Sequence, residues 1–158
     1  MGERIRRILL DPRLPDMAVA TELLLYMASR AQLVREVVRP ALEAGTVVLA
    51  DRFVLSSLVY QTVTGAVPEE AVRAMASVAL GDLAPDLQIV FDVPVHVALA
   101  RKHQPPDRME RKGRGFLERV RQAYLARAVS EPRTVLIPGA PPVADVHRRV
   151  LKELARVL

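Results

Sequence analysis

Apolar residues along this chain fall into helical stripes interrupted by short, dense β-branched runs. In Gly2–Leu10, Ile5, Ile8 and Leu9 recur at helical spacing among arginines, which predicts one amphipathic helix. The Asp11-Pro12-Arg13-Leu14-Pro15 stretch breaks it. A long helix is then predicted from a cap at Asp16 to about Ala44, kinked or split at Pro40 and closed by Gly45. Thr46–Ala50 (TVVLA) lacks polar alternation and predicts a strand buried on both faces. Helices follow over about Val54–Val63 and Pro68–Leu80, the latter opened by Pro and two acids and stopped by Gly81. Leu87–Val93 predicts a second buried strand, Pro94–Lys102 a helix, Gln104–Asp107 a loop and Gly113–Val129 a helix. Thr134–Ile137 predicts a third strand and Pro142–Val157 a final helix. Strands alternating with helices imply an α/β fold with a parallel sheet. With no repeat, low-complexity tract or linker, residues 1–158 read as a single domain.

Composition narrows the function classes. The chain is 51% hydrophobic and 26% charged, enough for a buried core and unlike a disordered chain. It contains no Cys, which excludes a disulfide framework, a thiolate nucleophile and a Cys-based zinc site. Its histidines, at 96, 103 and 147, lack metal-ligand spacing. Apolar runs such as Leu23–Ala28 fall far short of the ~20 residues of a membrane span. No basic-then-apolar leader opens the sequence, so the expected compartment is the cytoplasm and no membrane partner is expected. The net charge of +5 rests mainly on arginine, whose planar fork matches phosphate. That excess suits nucleic acid or a small phosphorylated ligand. Aromatic residues are only 4% with no Trp, which disfavours a single-stranded nucleic-acid surface.

In open α/β sheets, ligands bind beyond the carboxyl ends of strands. That rule selects Asp51 and Arg52, which follow the first predicted strand. A carboxylate there can meet Mg²⁺ and an adjacent guanidinium can clamp a phosphate; a helix cap and a surface ion pair are the plainer alternatives. Tyr26 and Arg30 lie four apart on one helix face and could hold a planar base, unless Tyr26 is ordinary core. Ser56, Ser57, Tyr60 and Gln61 could hydrogen-bond a base or sugar, or form a merely polar face. Asp92 is read as the cap of the helix opened by Pro94, with a site role as the alternative. Arg101, Lys102, Arg108, Arg111 and Arg114 crowd a short lid-like region over 101–114, where they could neutralise a phosphoryl group or simply be solvated. His103 beside them reads as incidental. No G-x-x-x-x-G-K-[ST], G-x-G-x-x-G or G-x-S-x-G occurs in these residues.

Five segments together resemble thymidylate kinase, a family of the P-loop nucleoside monophosphate kinases. They are GERIRRILL (2–10), ELLLYMASR (22–30), DRFVLSSLVYQ (51–61), PDLQIVFDV (85–93) with Pro94, and DRME (107–110) followed by FLERVRQAYL (116–125). The second is similar to the family's E-LLF-A-R helix. The third is close to its D-R-Y-x-x-S-x-x-A-Y-Q signature, the most specific match. Order and spacing agree over essentially the whole chain.

The resemblance implies a three-layer α/β sandwich that phosphorylates dTMP with ATP and Mg²⁺. It implies that Asp51 lies near Mg²⁺ and the acceptor phosphate, held by Arg52. Tyr26 stands where a Phe stacks on thymine, Arg30 hydrogen-bonds the base, and Ser57 faces it. Tyr60 presses on the sugar at C2′ and Gln61 assists at the base edge. Arg101 and Arg108 flank the lid over ATP, and Gly139-Ala140-Pro141 approach adenine. It implies a homodimer through the helix containing Glu22–Val37. The matched segments begin after the family's phosphate-binding loop, so the expectation is an N-terminally truncated chain whose sheet lacks the first two strands. The alternative is a non-catalytic nucleotide- or partner-binding remnant of that fold.

Overall fold

The computed structural model describes residues 1–11, 13–14, 16–102, 105 and 109–158. The chain divides into two compact units, the first formed by Met1–Leu83 together with Met109, the second by Ala84–Pro106 and Glu110–Leu158.

The first unit is helical. Helix α1 (Gly2–Leu10) packs on α2 (Val19–Leu33), burying Leu9. The long predicted helix starts at Val19 rather than at an Asp16 cap and passes through Pro40 by changing register. Arg39 N–H donates to the Val34 carbonyl five residues back, which widens Val34–Val38 into a π turn. Pro40 then falls in the first turn of α3 (Arg39–Glu43), where its missing N–H leaves no bond unmade. Gly45 supplies the left-handed residue that ends the helix, with φ of 73°.

Helix α4 (Val54–Tyr60) is followed by α5 (Glu69–Leu80), which has Pro68 at its cap and Glu69 and Glu70 in its first turn. Leu23, Met27 and Val34 pack with Leu58 of α4 and with Val72, Ala76 and Leu80 of α5 to form the core. Each such side chain is worth about 1.5–3 kcal/mol when fully removed from water. Arg39 Nη2 donates to the Leu80 carbonyl and to Asp82 Oδ1, both at 2.8 Å, tying α3 to the end of α5.

One expectation fails here. Thr46–Ala50 forms no strand among the described residues, and Val47 and Leu49 are 57% and 83% exposed. β-propensity supplies an apolar extended segment, but a strand exists only when its backbone finds a ladder partner, and none lies beside it here.

The second unit is α/β. Strands β1 (Gln88–Asp92) and β2 (Thr134–Pro138) pair in parallel, from Gln88 opposite Thr134 to Asp92 opposite Pro138. The strands therefore end side by side. Helix α7 (Arg114–Ser130) packs on both and buries Phe116 and Val120; α6 (Val95–Ala100) lies against α7, and α8 (Val143–Leu154) against β2. Strand β1 is not buried on both faces as expected: Val90 is buried, whereas Phe91 is exposed; in β2, Ile137 is buried and Leu136 exposed. The parallel pairing and helical cover agree with the predicted α/β class. No helix among the described residues is long and apolar enough to cross a membrane.

Candidate active site

The first unit gathers the residues expected to meet the acceptor nucleotide. Glu22, Tyr26 and Arg30 recur at four-residue steps and share one face of α2. Phe53, Ser57 and Gln61 recur at the same step along α4. The two rows meet as antiparallel rungs. At one end Gln61 Nε2 donates to Glu22 Oε2 at 3.3 Å. At the other, Arg30 Nη1 donates to Ser57 Oγ at 2.9 Å and Nη2 to the Phe53 carbonyl at 2.8 Å. Tyr26 lies between the rungs in sequence, and the Arg30 guanidinium stands 5.4 Å from its ring centroid.

Burial makes these bonds matter. Arg30 is only 9% exposed, Gln61 1% and Glu22 0%. Polar groups so enclosed are stable only when hydrogen-bonded. The Tyr26 ring is half-buried beneath the Arg30 cation. Ser57 and Gln61 are fully buried and both are bonded across to α2.

Asp51 and Arg52 are exposed at the approach to α4. Arg52 has φ of 67°, a left-handed conformation that costs a non-glycine residue about 1–3 kcal/mol. Its guanidinium lies 5.3 Å from the Tyr60 ring centroid. Arg52→Gly should relieve that strain while losing about 0.5–1 kcal/mol of cation–π attraction. The expected unfolding midpoint is therefore close to the parent's. Thermal unfolding of the variant beside the parent checks it.

In the second unit, Arg101 and the Gly139-Ala140-Pro141 loop come together at the carboxyl ends of the strands. Arg101 Nη1 donates to the Gly139 carbonyl at 2.8 Å and Nη2 to the Ala140 carbonyl at 2.7 Å. Gly139 N–H donates to the Asp92 carbonyl at 2.8 Å. Lys102 pairs with Glu110. Arg108 and His103 lie outside the described residues.

Asp92 caps no helix, contrary to expectation; Pro94 holds the cap position of α6. The Asp92 carboxylate instead takes two bonds from Arg121 of α7, at 2.7 and 3.1 Å. These bonds raise the Arg121 pKa above its ordinary value. A bidentate guanidinium outcompetes a cap because two charge-assisted bonds replace one.

Two functional-looking residues escaped the sequence reading. Glu22 was only one letter of a family match, although its four-residue step from Tyr26 was visible. Arg121 carried no signal that separated it from the other arginines of α7.

The described residues contain no group of three or more His, Asp or Glu side chains able to hold a metal. A lone exposed carboxylate at Asp51 does not make an Mg²⁺ site, and these residues contain no phosphate-cradling glycine loop. The residues present thus do not fit a metal-triphosphate group by themselves.

The thymidylate kinase family model matches residues 1–150. A thymidylate kinase of Pseudomonas entomophila is 46% identical over 153 residues, covering 95% of this chain and 73% of that protein. One of Symbiobacterium thermophilum is 44% identical over all of this chain and 75% of its own length. One of Fervidobacterium nodosum is 40% identical over 96% of this chain and 76% of its own. The chain has the P-loop nucleoside monophosphate kinase type of α/β fold. It belongs to the thymidylate kinase family.

Proposed function

We propose that this protein transfers the γ-phosphoryl group of ATP to dTMP, giving ADP and dTDP, and that its first unit holds the acceptor. The observation that carries the reading is the buried Arg30, braced by Ser57 and the Phe53 carbonyl over the Tyr26 ring, in a chain of this family. Tyr26 stacks on thymine, Arg30 donates to its carbonyl edge, and Ser57 and Gln61 line that edge. Tyr60 packs against the sugar and disfavours a 2′-hydroxyl. Arg52 fixes the acceptor phosphate, whose oxygen forms the new bond to the γ-phosphorus as the bond to the ADP oxygen breaks. The protein's contribution is alignment and neutralisation of charge on that phosphate.

Arg101 supports the adenine side by holding the 139–141 loop through the Gly139 and Ala140 carbonyls. A homodimer through the helix containing Glu22–Val37 is supported by Leu24, 55% exposed, and by exposed Ala28 one turn on.

Phosphoryl transfer from ATP to a panel of nucleoside monophosphates, using the natively expressed protein, tests the reading. Conversion of dTMP well above that of dCMP and AMP is expected. Equal transfer to AMP or dCMP overturns it. Selective dTMP binding without any transfer favours the second reading, a nucleotide-binding chain that does not turn over.

A further inference from the structure

We infer that Arg121, which touches no substrate, is a positioning residue for the phosphate donor: by clamping Asp92 it fixes the 139–141 loop against which the adenine base lies. The inference rests on the proposed reading that this loop forms the adenine side.

Strands β1 and β2 end together, with Asp92 opposite Pro138. That end of the sheet is short of donors. Pro138 carries no N–H, so the ladder is closed one residue later, by the Gly139 N–H on the Asp92 carbonyl at 2.8 Å. Pro94, two residues after Asp92, donates nothing either. A two-stranded sheet is marginal in itself, and its end rung frays unless the terminal residue is held.

Arg121 holds that residue. Its Nε and Nη2 donate to the two oxygens of the Asp92 carboxylate at 2.7 and 3.1 Å, while Nη1 reaches Glu118 Oε1 of the same helix at 3.3 Å. Both side chains of the Asp92–Arg121 pair are 26% exposed. A bidentate pair so enclosed holds its geometry better than an ion pair in open water. The planar fork fixes two directions at once, so the Asp92 side chain loses its rotation and its backbone stays turned toward Gly139. Helix α7, which carries Arg121, is 17 residues long and packs on both strands. Asp92 is thus tied to a rigid element and not to another loop.

From Asp92 the constraint passes into the loop through the Gly139 N–H. Arg101 adds the second tie, on the Gly139 and Ala140 carbonyls, but Arg101 is exposed and its bonds compete with water. Arg121 is therefore the inner anchor and Arg101 the outer latch. Without Arg121 the end rung opens, the loop spreads over several positions, and the donor base loses a preorganised wall. The groups that meet dTMP belong to the first unit, so acceptor binding does not depend on this anchor.

The test is NMR and calorimetric titration with ATP, and separately with dTMP, of the parent protein, Arg121→Leu, Arg121→Lys, Asp92→Ala and the Asp92→Ala/Arg121→Leu double variant. In Arg121→Leu the affinity for ATP is expected to fall about tenfold with that for dTMP unchanged. Exchange of the Gly139 amide proton should accelerate while that of Ile137, inside β2, does not. A merely structural ion pair would lower the unfolding midpoint and leave the ratio of the two affinities as it was. Arg121→Lys supplies the charge without the fork and should fall between the parent and Arg121→Leu. In the Asp92→Ala background, Arg121→Leu should weaken ATP binding no further.

Parent-like ATP affinity in folded Arg121→Leu, an equal loss for dTMP, or a further loss in the double variant overturns the inference. Should Arg121→Leu not fold, Arg121→Lys decides by the same readouts, and parent-like Gly139 exchange and ATP affinity in it overturn the inference. A parent protein whose Gly139 and Ala140 amides do not respond to ATP overturns the reading of this loop as the adenine side, and the inference with it. A response there that survives unchanged in Arg121→Leu overturns the inference alone.

Discussion

Arg30→Met is expected to abolish measurable dTMP binding and to lower stability by about 2–4 kcal/mol, since each buried acceptor left without its donor costs about 1–3 kcal/mol. The substitution keeps an apolar stem of similar length, so the loss is not one of volume. It strips the donors from Ser57 Oγ and from the Phe53 carbonyl, and both lie where the chain turns into α4. The cation above Tyr26 goes with them. Arg30→Lys separates charge from geometry. An ammonium is a point donor and cannot span two acceptors as the guanidinium fork does, so most of both losses should persist. Denaturant unfolding and dTMP titration measure the two effects. A variant as stable as the parent, binding dTMP as well, would show that the α2–α4 rung is incidental.

Gly139→Val is the second large effect, and its cause is space rather than backbone freedom. A Cβ at this position would stand 2.7 Å from Val93 Cγ2 and 3.3 Å from Phe91 Cβ. Val93 is β-branched and stiff at χ1, so it cannot swing aside cheaply. Gly139 is also pinned from both sides, by its N–H to the Asp92 carbonyl and by Arg101 on its own carbonyl. Overpacking of this kind costs about 1–3 kcal/mol. The branched side chain should also push the 139–141 loop off Arg101. The expected readouts are a lowered unfolding midpoint and shifted NMR resonances at Arg101 Nε and Ala140. Parent-like values of both would mean that the loop adapts freely and does not depend on the close approach.

Much of this architecture was legible in the residues because local chemistry decides it. Helix α1 falls where its apolar stripe places it, and α5 lies between a Pro-Glu-Glu start and a glycine stop. The parallel strands sit where β-branched runs predict them. Thr46–Ala50 was misread because strand formation depends on a partner that propensity cannot supply. The burial of β1 was overestimated because an apolar run does not reveal how many faces will be covered. At the site, helical spacing brought Tyr26 and Arg30 together, and the D-R-x-x-x-S-S run marked the second wall. Spacing could not show that Arg30 reaches Ser57 across to another helix, nor that Glu22 meets Gln61, because long-range pairing leaves no periodic trace. Asp92 was read as a cap for the same reason: its partner Arg121 lies far along the chain.

The central claim is that the first unit recognises a thymidine monophosphate through the α2–α4 ladder and Arg52. Calorimetric titration of dTMP, with dCMP as the competitor, tests it most directly, because binding does not require the phosphate donor. One saturable dTMP site per chain is expected, with clear preference over dCMP and with affinity lost in Arg30→Met. Absence of saturable binding by the folded protein, or equal affinity for dCMP, would contradict the account.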